Sequence, residues 1–178
     1  MKHGFFCMLP SNYQGGSTTM KKLSLLLIIS MFLFVGCSST KKEPVVVKKT
    51  IFEQTETAVN ENVNYSIISV EKFAKKDYSE AKADYEYVVV KVRIENKSDK
   101  KISYNSFDWK MQNNKGQEEN STYLYATTDT AIGSGDLLSN GVVEGTMAWE
   151  QPIADKGLMM NYYASMFDSK SAFQIKIN

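Results

Sequence analysis

Few residues in this chain could do covalent chemistry. Thiol and imidazole together come to three side chains in 178 residues: His3, Cys7 and Cys37. Cys37 is the informative one. It follows Met20-Lys21-Lys22, an apolar run from Leu23 to Val35, and Gly36. A basic start, a short greasy core and a small residue before the cut describe a secretory signal peptide over residues 20–36. A cysteine directly after the cut points to lipidation of its thiol.

The run Leu33-Phe34-Val35-Gly36-Cys37 resembles the lipobox of bacterial lipoproteins. Phe34 stands where the usual pattern has leucine, a mild departure because the site reads bulk and greasiness. The competing reading of Leu23 to Val35 is a transmembrane anchor. Spanning needs ~20 apolar residues, and this run is closer to the ~7–15 of a signal core. The resemblance implies an address: a protein held by lipid on Cys37 to the outer face of the cytoplasmic membrane.

Residues 1–19 do not fit a secretory signal, which begins with its basic region. We expect Met20 to be the true initiator and 1–19 to be a non-native upstream extension. Gln14-Gly15-Gly16 supports this, because its codons can spell a ribosome-binding sequence shortly before the Met20 codon. The alternative is a long but genuine basic region. Glycine codons GGC or GGT at Gly15 and Gly16 would remove the argument.

With cleavage before Cys37, the mature chain holds no histidine and one cysteine, occupied by lipid. That removes serine–histidine and cysteine–histidine nucleophiles and nearly all zinc sites. It also leaves no disulfide, so the fold rests on burial alone. Secreted proteins of Gram-positive bacteria often lack cysteine in this way, and that origin is favoured. No phosphate-cradling glycine loop is present. Carboxylate-only catalysis stays open in principle, through pairs such as Glu118-Glu119 or Asp84-Glu86. Both read more simply as solvated surface charge. Asp129 and Asp136 could approach calcium with backbone carbonyls, but the dense spacing of a calcium loop is missing. We therefore expect no metal, no cofactor and no catalytic residue.

Tyrosines are the better hint of a ligand. Tyr123, Tyr125, Tyr162 and Tyr163 fall near expected strand ends and a long loop, and tyrosine gives broad contact at low entropy cost. Ordinary packing with the hydroxyl at the rim is the competing reading.

Charge separates a stalk from a body. Residues 37–50 carry Lys41, Lys42, Lys48 and Lys49 against Glu43, whereas 51–178 has 14 Lys+Arg and 19 Asp+Glu, a net of −5. Lysines near an anionic bilayer are worth about 1 kcal/mol each. The acidic body has no basic stripe, which argues against nucleic acid as a partner. Residues 37–50 read as a short flexible lipidated tether and 51–178 as one domain.

The domain pattern is β. Val63 to Val70 alternates, with Val63, Tyr65 and Ile67 on one face and Ile68 and Val70 on the other. Tyr87 to Glu95 is the strongest strand, with Val88, Val90, Val92 and Ile94 on its apolar face. Asn96 to Lys100 is a polar turn, and Ile102 to Tyr104 restarts a strand. Phe107, Trp109 and Met111 alternate with polar residues. Gly116 suits a positive φ in the turn that follows. Val143, Gly145, Met147 and Trp149 share a face, and Pro152 ends that strand. Leu158 to Ala164 and Phe173 to Ile177 complete the set. Lys75 to Tyr85 reads as a solvated loop or a helical turn, and Ala126 to Asn140 as a long polar loop. About seven short antiparallel strands argue a β-sandwich, with Val88, Val90, Val92, Ile94, Trp109, Met147, Trp149 and Ile175 as core.

Three stretches carry a resemblance to a known family. They are Tyr87 to Lys97, Phe107 to Asn113 followed by Gly116, and Asn140 to Pro152 with its Gly, apolar, Gly, apolar, aromatic, Pro pattern. In this order they resemble the telokin-like, immunoglobulin-like domain of small bacterial lipoproteins, a domain of unknown function. The resemblance covers about 51–178. It implies an all-β immunoglobulin-like sandwich on the cell surface, with no assigned activity. Three functions fit: a non-enzymatic binding module for an envelope or extracellular protein or polymer, an accessory subunit of an envelope complex, and, furthest from the residues, a carboxylate-only enzyme. The missing histidine favours the first two over the third.

Overall fold

A computed structural model describes residues 48–178. The upstream extension, the signal segment, Cys37 and the tether up to residue 47 lie outside the described residues. From Ile51 onward the period-two patterns become strands, named here in chain order. They are β1 (Ile51–Phe52), β2 (Ala58–Asn60), β3 (Val63–Phe73), β4 (Lys75–Lys76), β5 (Ser79–Glu80), β6 (Tyr85–Asn96) and β7 (Ile102–Asn105). Then follow β8 (Trp109–Gln112), β9 (Glu118–Asn120), β10 (Ser134–Leu137), β11 (Val142–Pro152), β12 (Leu158–Tyr162) and β13 (Phe173–Ile177). Two short 3-10 turns, Ser106–Asp108 and Tyr125–Thr130, interrupt them.

The strands build a sandwich. One sheet runs β11-β6-β3-β2 and the other β1-β13-β12-β8-β9. β6 lies at the centre of the first sheet, antiparallel to β11 along Val142↔Glu95 to Pro152↔Tyr85 and to β3 on its other side. The expected core residues Val88, Val90, Val92, Ile94, Trp109, Met147, Trp149 and Ile175 are all buried between the two sheets. Pairing between these strands is antiparallel except at one margin, where β1 joins β13 in parallel, Ile51↔Gln174 and Phe52↔Ile175; an isolated bridge, Ala131↔Thr146, is also parallel.

A β-bulge resolves the awkward alternation of β3. Register shifts between Ile67, opposite Val92, and Ser69, opposite Lys91. The extra residue is Ile68, left exposed. Inserting one residue flips every later side chain to the other face. Val70 therefore packs on the same core as Val63, Tyr65 and Ile67.

Two expected loops are more ordered than their composition suggests. Within Lys75 to Tyr85, β4 and β5 form a small hairpin. Ala126 to Asn140 overlaps the 3-10 turn and contains β10, which pairs with β7 from Ser134↔Asn105 to Leu137↔Ile102. The segment is needed to close one side of the sandwich. Ile132 and Leu137 are buried in the core, and Ile132 lies directly against Gly145. A Cβ on Gly145 would come within 2.5 Å of the Ile132 Cα, so only glycine admits this approach. Phe107 also departs from expectation: it sits in the first 3-10 turn, exposed, rather than in the strand with Trp109 and Met111.

Asn96 ties the turns at one end together. It is fully buried, and its amide donates to the carbonyls of Lys100, Leu137 and Leu138 at 2.7, 3.1 and 3.1 Å. Its side-chain oxygen accepts from the Ser98 amide and hydroxyl. Every polar atom of a buried side chain is thus used, which is the condition for burying it cheaply.

Candidate functional site

The four singled-out tyrosines go to different places. Tyr162 is a core residue, which corrects its assignment as a ligand contact. Its hydroxyl accepts from Tyr65 at 3.0 Å, and its ring stacks on Phe173 with centroids 4.9 Å apart. Trp109 completes that cluster at 4.8 Å from Tyr162 and 5.7 Å from Tyr65. Burial pushes both phenols above the ordinary tyrosine range.

Tyr163 points to the outer side of the same sheet, because successive residues of an extended chain face opposite ways. It is buried under surface side chains. Its hydroxyl donates to Glu118 at 2.7 Å, and the Lys110 ammonium lies 4.8 Å from its ring centroid. Burial and the hydrogen bond to Glu118 push its phenol up to about 12. Glu118 also accepts from the Asn161 amide, whose oxygen in turn accepts from Gln174 at 2.8 Å. Glu118, Asn161, Gln112 and Gln174 form a polar brace across β9, β8, β12 and β13. Their spacing in sequence carries no signal, since only strand pairing brings them together.

Tyr123 and Tyr125 are exposed, 77% and 57%. Between them Leu124 is buried in a second apolar cluster with Val89 and Ala148 on the outer face of β6 and β11. Leu124 has extended backbone, φ −132 and ψ 120. An extended residue anchored inward turns both neighbours outward. Tyr125 packs edge-on to exposed Tyr78 of the β4–β5 hairpin, ring centroids 5.2 Å apart. Tyr123 hydrogen-bonds Thr128 at 3.1 Å and borders a cleft of about 270 Å³. Phe107, Thr127, Ile132 and Ala148 contribute to its walls. The cleft opens where residues 122 and 131 bridge to β11 at Ala148 and Thr146. It offers aromatic edges, threonine hydroxyls and an apolar floor, which suits recognition rather than proton transfer.

The carboxylates weighed for catalysis are dispersed. Glu118 and Glu119 are neighbours in β9, with Glu118 on Asn161 and Tyr163 and Glu119 facing Gln151. Glu86 accepts from the Ala154 amide, and the Asp84 carbonyl from the Ile153 amide. Asp136 is held by Lys101 at 2.7 Å and Ser103 at 2.8 Å, which keep its carboxyl below the usual range. Among the described residues no group of three or more metal-binding side chains converges, and no helix is long and apolar enough to cross a membrane.

No curated relative matches the chain. Solved structures that share its fold include two from Bacillus subtilis. The yjhA protein of Bacillus subtilis aligns with a TM-score of 0.55 at 16% identity, over 71% of this chain and 99% of that one. A candidate lipoprotein of Bacillus subtilis, ycdA, aligns with a TM-score of 0.55 at 17% identity, over 67% of this chain but 38% of its own length. A β-sandwich protein from Clostridium difficile aligns less closely, with a TM-score of 0.45 at 15% identity over 76% of this chain and 100% of that one. The sequence itself matches a family model over residues 52–174, nearly the span from which the resemblance was read. The chain belongs to the family described as a domain of unknown function, DUF4352.

Proposed function

We propose that this protein is a lipid-anchored, non-enzymatic binding module on the outer face of the cytoplasmic membrane, and that its ligand contacts the rim of the cleft beside Tyr123. The observation that carries the binding role is the pair Tyr123 and Tyr125, held outward by buried Leu124 next to an open cleft. Large aromatic side chains left in water on an ordered segment contribute little to folding and are suited to contact. The lipobox resemblance at Cys37 supports the anchor, and the dispersal of the carboxylates among the described residues supports a role without chemistry.

Two measurements test this reading. Metabolic labelling with a fatty-acid analogue should mark the wild-type chain and not Cys37→Ser, and label retained in the variant would sink the anchor. A photo-crosslinking residue placed at Tyr123 in the membrane-bound chain should capture an extracellular protein or wall polymer, far above the same residue placed at Lys115. Capture of one stoichiometric envelope protein would instead make the chain an accessory subunit. Equal yields at both positions would remove the cleft as the contact.

A further inference from the structure

We propose that the hairpin tip Met166-Phe167 inserts into the lipid interface of the membrane that holds Cys37, so that the domain rests on the bilayer by one defined end. This rests on the anchor reading above. The loop joining β12 to β13 is closed by the Ala172 amide donating to the Tyr162 carbonyl. Its tip is an ordered turn. The Asp168 amide donates to the Ser165 carbonyl at 3.0 Å, the Asp168 carboxylate accepts from the Ser165 amide at 3.0 Å, and the Ser165 hydroxyl accepts from the Phe167 amide. The two central positions of such a turn usually hold glycine, proline, asparagine or aspartate. Here they hold methionine and phenylalanine, 65% and 89% exposed. Phe167 is the most exposed large apolar side chain among the described residues. The turn fixes these side chains outward, and Asp168 is occupied in capping it.

The position of the chain entry names the occupant. The Thr50 carbonyl accepts from the Gln174 amide, and β1 runs parallel to β13 from that point. The tether therefore meets the domain at the same end as the 163–172 loop. At the entry Lys48 donates to Asn60 and Lys49 is paired with Glu56, both at 2.6 Å, and exposed Lys170 follows the tip. Ten residues, 38–47, separate the lipidated cysteine from Lys48, so eleven chain steps join the two. Fully extended they reach at most ~40 Å at ~3.3–3.6 Å per residue, so this end cannot stand far from the bilayer. Apolar side chains beside Lys170 at that height match the interfacial zone of an anionic membrane.

The test uses the full lipidated chain on phosphatidylglycerol vesicles whose acyl chains carry bromine, a short-range quencher of tryptophan. Native Trp109 and Trp149 are buried in the protein core and serve as a constant background. Phe167→Trp should show blue-shifted emission and lose fluorescence on the brominated vesicles. Tyr78→Trp is the control. β3 starts at the tether end, where Lys48 bonds Asn60, and runs eleven residues away from it before the β4–β5 hairpin. Tyr78→Trp should be unaffected. A chain that floats with the vesicles while Phe167→Trp stays unquenched overturns the tip proposal and leaves the anchor standing. A chain that does not float removes the anchor reading, and the tip proposal with it. Protection of Phe167→Trp that appears only with added envelope protein overturns the proposal in favour of a protein partner.

Discussion

Tyr162 and Tyr123 are the same residue in two settings, and the contrast separates what holds this domain together from what it displays. Tyr162 sits among Tyr65, Trp109 and Phe173, where every ring touches another and the hydroxyl has a buried partner. Tyr123 projects from a segment whose anchorage is supplied by its neighbour Leu124. In the first setting the aromatic ring is the adhesive between two sheets. In the second the ring is exposed, and folding draws little from it. Tyr163 lies between these extremes, shielded on the outer face and tied to Glu118.

That comparison can be broken from the core side first. Trp149→Ala should be the most damaging change, since the side chain is fully buried opposite Val88. Truncating such a ring typically costs ~3–5 kcal/mol out of a domain's ~5–15. The Trp149 indole N–H is buried without a hydrogen-bond partner among the described residues, so Trp149→Phe should cost clearly less than alanine. Chemical denaturation of both variants checks the order. Normal stability in Trp149→Ala would mean that the core is elsewhere.

Asn96→Ala should come next. It strips three carbonyls and two donors of their buried partner, and unsatisfied buried groups cost about 1–3 kcal/mol each before relaxation or water relieves them. Hydrogen exchange should show the loss concentrated in the 97–101 and 137–141 turns. Uniform loosening would show that Asn96 is not their hub.

Tyr162→Phe keeps the ring and removes the acceptor of the Tyr65 hydroxyl, at a cost of about 1–3 kcal/mol. Adding Tyr65→Phe should recover part of that cost, because the orphaned donor disappears. A double variant as unstable as the sum of the singles would dissolve the pair as a unit.

Tyr163 gives a pH test of the intermediate setting. Its folded phenol titrates near 12 while an unfolded one titrates near 10. A raised folded value means that stability is intact below pH 10 and is lost as pH climbs toward 12. Absorbance of the phenolate should show three tyrosines, Tyr65, Tyr162 and Tyr163, ionising late, and the change that Tyr163→Phe removes identifies the third. In Glu118→Gln Tyr163 should ionise earlier, because the carboxylate no longer favours the protonated phenol.

The smallest effect belongs to the displayed rings. Tyr123→Ala and Tyr125→Ala should each change stability by less than ~0.5 kcal/mol, the range of ordinary surface substitutions, and Tyr125→Ala should lower capture by a photo-crosslinking residue at position 123. A large loss of melting temperature would move Tyr123 into the structural class with Tyr162.

How much of this was legible in the chain follows from range. The alternation of Val88, Val90, Val92 and Ile94, and of Val143, Gly145, Met147 and Trp149, needs only local geometry, because a strand has period two wherever it lies. The turn at Gly116 is equally local, and its φ of 77° is the positive value that its composition calls for. The bulge at Ile68 was written as a phase change in the apolar pattern, though its meaning needed the partner strand. The 126–140 segment misled because its strand, Ser134–Leu137, is made of residues without β preference and holds only by pairing with β7.

The chain alone therefore determined the all-β class, the faces of the regular strands and the burial of Trp109 and Trp149, since burial of alternating apolar residues is a short-range instruction. Tertiary structure alone decided which of two adjacent tyrosines faces the core, that Glu118 meets Tyr163, and that Leu124 turns Tyr123 and Tyr125 outward. Those outcomes depend on register between residues tens of positions apart. A one-residue shift in pairing exchanges the two faces of a strand, and no local pattern of residue types records it.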